Sequence, residues 1–170
     1  MSTATDPLPW FGSTRRFAWI WLLIGQFVGV GVTAAQGQSV QLQFRSVVNV
    51  PNTSSVVSCS AFSVDMSYGV ISPTTAAYNA NIRLPLRGLT FNSIATNPDV
   101  STAVVRGTSP NDTLLVTMKN PLPAGSAGNL SISLQFPCGT ICTGYSTTVL
   151  PTFDAANAEE AVRGNAATLT

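Results

Sequence analysis

Residues 129–136, NLSISLQF, alternate apolar and polar side chains without a break. Leu130, Ile132, Leu134 and Phe136 fall in one phase, and Ser131, Ser133 and Gln135 in the other. Successive side chains of a strand point to opposite faces, so the run gives a sheet one apolar and one polar face. A helical period of 3.6 would split the four apolar groups between opposite sides of the axis. This run is a strand with one face in a core.

The same period recurs along the chain. Val40, Leu42 and Phe44 alternate with Gln41 and Gln43, and Leu114, Val116 and Met118 keep one phase in TLLVTMK. Val64, Met66, Tyr68 and Val70 form another set, as do Tyr78, Ala80, Ile82 and Leu84. In VVSCSAF, Val57, Cys59 and Ala61 alternate with Ser58 and Ser60, which reads Cys59 as a buried strand position. Between these runs stand VPNTS, ISPTT, TNPDV, TSPND and NPLPAGSAG, whose Pro, Gly, Asn, Asp and Ser set turn backbones. Short alternating strands at turn spacing predict an antiparallel sandwich or barrel. The tail DAANAEEAVRGNAATLT is open between a short helical turn and a final strand.

The first part of the chain reads differently. Residues 1–16 are polar and end in Arg15 and Arg16, and the apolar stretch FAWIWLLIGQFVGVGVTAA follows. A charged n-region, an apolar h-region and a small-x-small site make a secretory signal peptide over residues 1–35, with cleavage through about Ala35. An uncleaved membrane anchor competes, since the stretch approaches the roughly 20 residues that cross a bilayer. Gln26 and the glycines at 25, 29 and 31 favour cleavage. The remainder, residues 36–170, is expected to form a single domain, the first module of a longer protein in one reading, with length enough for a sizeable core. The expected location is extracellular, secreted or on the cell surface, with membrane contact only through the signal segment during export.

Charge removes several function classes. Of 170 residues only 9% are charged, the net charge is +1, and Lys119 is the one lysine. Nucleic-acid binding needs clustered Lys and Arg to displace counterions, so no nucleic-acid partner is expected. The chain has no histidine, which removes Ser-His-Asp and Cys-His catalysis and the common zinc sites. The carboxylates Asp65, Asp99, Asp112, Asp154, Glu159 and Glu160 are scattered and read as solvated turn or tail acids. NPDV and NDT could lend oxygens to calcium from adjacent loops, but such triplets are ordinary turns and no site is assigned. No enzymatic activity, cofactor or metal is expected.

Three sequons, at Asn52, Asn111 and Asn129, are N-glycan acceptors if the host has the machinery. All three tryptophans, Trp10, Trp19 and Trp21, lie in or before the signal segment. That leaves few rings for sugar stacking.

From Ser39 to about Thr168 the motif order resembles the conserved-repeat β-sandwich domains of large bacterial-type surface and adhesin-like proteins. The residues that carry the resemblance are IRLPLRGLTFNSI at 82–94, DTLLVTM at 112–118 and LPAGSAGNLSISLQFP at 122–137. It implies an all-β, antiparallel Ig-like β-sandwich with no enzymatic activity, which the signal segment read above would precede as an N-terminal signal-peptide helix. Arg83 stands near Leu-Pro where such domains commonly carry an acid, and two cysteines follow LQFP. No acid-dependent crosslink from Lys119 is expected.

Cys138 and Cys142 flank GTI just past the strand-like run. Exported thiols tend to be oxidised. A Cys138–Cys142 staple would close a short ring worth roughly 2 kcal/mol, against roughly 4.5 for a bridge from Cys59 to either turn cysteine. With Cys59 read as a buried free thiol, the local staple is the expectation and the long bridge its alternative. The leading functional reading is a non-catalytic surface domain for adhesion or spacing, its partner an unidentified extracellular protein or glycan. The alternative is an extracellular carbohydrate-binding module.

Overall fold

The computed structural model describes residues 38–50, 59–138 and 146–169. The signal segment, Asn52, Cys142 and Tyr145 lie outside the described residues. The strands are β1 Leu42–Asn49, β2 Ala61–Val70, β3 Asn81–Pro85, β4 Thr90–Ile94, β5 Val100–Arg106 and β6 Thr113–Met118. They continue with β7 Ala127–Gln135, β8 Thr147–Val149, β9 Thr152–Asp154, β10 Val162–Arg163 and β11 Ala167–Leu169. One sheet runs β1-β2-β7-β4, a second runs β10-β9-β3-β6-β5, and β11 pairs with β8. Every strand pairing is antiparallel.

Alternation decides which face meets the core. Val64, Met66, Tyr68 and Val70 of β2 are buried beside Leu130, Ile132 and Leu134 of β7, and Phe136 follows in the same phase. From the second sheet come Ile82, Leu84, Leu114, Val116, Met118 and Phe153. The two sheets meet where Phe153 packs against Phe44 at a ring separation of 5.8 Å and against Tyr68 at 6.0 Å. Face-to-face packing of two alternating faces is a sandwich.

Register follows from the same phase. A one-residue slip of β7 would turn Leu130, Ile132, Leu134 and Phe136 to solvent. Each such group is worth roughly 1.5–3 kcal/mol when buried, so apolar burial alone fixes the pairing.

The chain changes sheets between β3 and β4. Leu86 and Leu89 are buried, and the Leu89 amide donates to the Leu86 carbonyl at 3.0 Å. Between them Arg87 and Gly88 have φ of 51° and 91°. Two successive positive φ values give a tight reversal, and glycine takes the second at no steric cost. Both anchoring leucines then reach the core from a turn that links the two layers.

Sequence and structure part at β5 and at Tyr78, and the structure decides the tail, which the sequence leaves open. β5 is an edge strand whose residues are mostly exposed, so it shows no alternation to read. The tail forms β10 and β11 rather than a helical turn. Tyr78 leaves the phase of Ala80, Ile82 and Leu84 because Asn79 adopts φ of 51° and turns its neighbour outward.

Candidate functional site

The cysteines correct the expectation. A disulfide joins Cys59 to Cys138 across 79 residues, with Cα atoms 4.5 Å apart. The Cys138–Cys142 staple is therefore overturned, and Cys59 is neither free nor buried. It sits exposed in a turn at φ of 62°. The misreading has a physical source. VVSCSAF and VDMSYGV put their apolar residues in opposite phases, and a single strand can keep only one. β2 keeps the phase of Val64 and extends it back to Phe62, which leaves Ala61 exposed and Cys59 outside the core.

Around the bridge the β2–β7 ladder continues past its last strand pair, Ala61 with Gln135. The Phe136 amide donates to the Ser60 carbonyl at 3.0 Å, and Gln135 Nε2 donates to the Cys59 carbonyl at 3.0 Å. The disulfide thus closes one end of the central strand pair of the four-stranded sheet.

The outer face of that sheet is polar. Asp65 accepts from Asn49 Nδ2 and from Ser131 Oγ, both at 2.5 Å. Asn129 is exposed on β7, opposite Ser67 of β2. Asn111 is exposed in the loop between β5 and β6, its amide donating to the Thr108 carbonyl at 2.8 Å. Both described sequons therefore stand at the surface.

Tyr68 carries a phenol into the core. Tyr68 is 3% exposed, and its hydroxyl donates to Asp99 Oδ2 at 2.8 Å and lies 3.1 Å from Asn97 Oδ1. Asn97 Nδ2 donates to the Asn129 carbonyl at 2.7 Å, and its Oδ1 accepts the Asp99 amide at 2.8 Å. Burial, then the bond to Asp99, pushes the Tyr68 phenol up to about 12, against a smaller lowering by Asn97. This is a tie between β2, β7 and the loop before β5. Sequence reading placed Asn97 and Asp99 in a turn, and nothing in the sequence pairs that turn with Tyr68.

Among the described residues no three of His, Cys, Asp and Glu converge. The loops of NPDV and NDT are not adjacent, as the calcium reading required. Val100 pairs with Met118 at one end of β6, and Arg106 pairs with Thr113 at the other. The length of β5 separates them.

Rings are equally sparse. Tyr78 is the one exposed aromatic side chain among the described residues. It lies outside the sheets, in the connection between β2 and β3, where an isolated bridge joins Ala77 to Leu122.

No family profile matches the chain. Solved structures similar to it include the full-length major pilin SpaD from Corynebacterium diphtheriae, 12% identical with a TM-score of 0.51, over 75% of this chain and 34% of the pilin. They also include an uncharacterized Nocardia farcinica protein with an immunoglobulin-like fold, 12% identical at a TM-score of 0.39, over 71% of this chain and 81% of that one. A third is a type III cohesin module from the ScaE cell-surface anchoring scaffoldin of Ruminococcus flavefaciens, 11% identical at 0.40, over 78% of each. The chain spans about a third of the pilin. At this identity the likeness shows the fold alone: an all-β, antiparallel sandwich, which this chain shares with part of the pilin.

Proposed function

We propose that the chain is an exported, non-catalytic β-sandwich domain that works outside the cell in adhesion or as a structural spacer. The observation that carries this reading is the Cys59–Cys138 disulfide, exposed at both residues. Such bonds form and persist in oxidising compartments and are rare in a reducing cytosol. Three further features support it. The N-terminal segment has signal-peptide composition, the outer sheet face is mostly polar, and the fold is shared with part of a major pilin of C. diphtheriae. Where the host glycosylates, Asn111 and Asn129 are the acceptors we assign among the described residues.

Protease shaving of intact cells that produce the protein is the test. The reading expects the mature domain to be cut or released by protease added outside, and its peptides to carry an oxidised Cys59. Recovery only from inside intact cells, with all three cysteines reduced, would overturn it.

A further inference from the structure

We propose that the end of the sandwich around Tyr78 is a binding site for a neutral saccharide. The proposal rests on the adhesion reading for its biological setting and on independent geometry for its chemistry. Tyr78 is 50% exposed although the residues that follow it in phase, Ala80, Ile82 and Leu84, are wholly buried. The left-handed backbone of Asn79 puts the ring there. Asparagine is among the few non-glycine residues that take this conformation readily, and the exposed ring it leaves forgoes burial. That loss is not recovered by packing against the core.

The surroundings fix the backbone that carries the ring. Asn157 binds the same segment with both ends of its amide: Oδ1 accepts the Tyr78 amide at 3.0 Å, and Nδ2 donates to the Ala76 carbonyl at 2.9 Å. The Ala156 amide donates to the Tyr78 carbonyl at 2.8 Å. Asn79 and Asn120 exchange two bonds, each 3.0 Å, from the Asn79 amide to Asn120 Oδ1 and from Asn120 Nδ2 to Asn79 Oδ1. The backbone under the ring is fixed before any ligand arrives, which lowers the entropy lost on binding.

Beside the ring is an open cavity of about 380 Å³ lined by Gln38, Thr74, Thr75, Ala76, Tyr78 and Asn157. A second, of about 430 Å³, adjoins it through Gln38, Thr74 and Thr75. Both volumes fall in the range of small-ligand sites, about 300–1,000 Å³. Neither lining contains a charged side chain; the polar groups are amides and hydroxyls. Thr75 Oγ1 donates to Gln38 Oε1 at 3.0 Å, which leaves the threonine oxygen able to accept. An aromatic face beside uncharged donors and acceptors matches a sugar ring, with its C–H face and rim of hydroxyls. An anionic ligand would find no cation there.

The experiment uses the full purified chain and five probes: cellotriose, chitotriose, mannotriose, xylotriose and maltotriose. Saturation-transfer NMR finds the binder and calorimetric titration measures it. At least one probe is expected to bind with Kd of about 1 mM or tighter, the weak range suited to one stacking ring. Tyr78→Ala should weaken that binding by about tenfold or more, and Tyr78→Phe by no more than about threefold, since the face remains. Because Tyr78 is half exposed, both variants should melt as the parent does. Transfer to none of the five at about 10 mM, or undiminished binding by a folded Tyr78→Ala, overturns the site. The titration does not depend on where the protein resides, so its failure is separate from failure of protease shaving.

Discussion

Cys59 lies two residues before the first paired residue of β2 and Cys138 three residues after the last of β7, and a disulfide joins them there with Cα atoms 4.5 Å apart. The bond links positions 79 residues apart in sequence, and β3, β4, β5 and β6 all lie inside the loop it closes. Loop-closure entropy makes a crosslink of that span worth up to about 4.5 kcal/mol. Peptide mapping of unreduced protein should find Cys59 linked to Cys138, with Cys142 the one cysteine left over. A Cys138–Cys142 peptide would contradict the structure.

Removing the bridge should weaken the domain without refolding it. The double variant Cys59→Ser, Cys138→Ser should lose on the order of 3–4 kcal/mol in denaturant titration. The strand register should survive, because Leu130, Ile132, Leu134 and Phe136 together outweigh the crosslink at roughly 1.5–3 kcal/mol each. An unchanged far-ultraviolet circular dichroism spectrum beside a lower midpoint is the expected pair of results.

Tyr68 makes stability fall at high pH. Its phenol is raised from 10.0 to about 12 in the folded protein, chiefly by burial and then by Asp99. A raised pKa contributes fully below the unfolded value and is lost as pH rises through the folded one. Stability should therefore decline between about pH 10 and pH 12, by on the order of 2 kcal/mol. Tyr68→Phe should be less stable at neutral pH, because Asp99 loses a partner, yet flatter across that window. A variant as pH-sensitive as the parent would place the titrating group elsewhere.

Gly128 sits where a side chain cannot. A Cβ there would collide with the Tyr68 hydroxyl and stand 2.6 Å from Cζ of the ring. The ring is buried and tied to Asp99, so it cannot swing aside without breaking that bond. Gly128→Ala should cost about 1–3 kcal/mol by overpacking. Combining it with Tyr68→Phe should cost less than the sum, since the oxygen in the way is gone. Strict additivity would mean the two residues do not touch.

The sandwich core was legible because alternation is a direct record of which face is buried. Leu42, Phe44, Leu114, Val116, Met118 and the β7 residues are buried in the phase the sequence prescribes. Cys59 was misread because two short runs in opposite phases looked like two strands. Only the longer run, from Phe62 to Val70, has enough apolar residues to set the face. Edge strand β5 gave no signal, since most of it is exposed and an irregularity between Val100 and Thr102 puts its two core contacts, Val100 and Ala103, out of phase. Tyr78 and the Tyr68–Asp99 tie depend on contacts between distant segments. Period and turn chemistry are local and carry no information about them.

Phe153 ties the two layers together. It belongs to β9, a strand of three residues, and is wholly buried against Phe44 of β1 and Tyr68 of β2. One ring from the second sheet thereby fills the space between two strands of the first. Phe153→Ala should leave a cavity between the layers and cost about 3–5 kcal/mol. That is a large share of the roughly 5–15 kcal/mol that stabilises an ordinary domain. Phe153→Leu should recover much of it by refilling the volume. A second readout separates lost packing from general unfolding. Burial is the largest cause of the raised Tyr68 phenol, so water admitted by Phe153→Ala should bring that phenol back toward 10.0. The shift would appear as phenolate absorbance at lower pH while the circular dichroism still reports folded sheet. Folded Phe153→Ala with an unmoved Tyr68 titration would show that Phe153 does not shield the tyrosine.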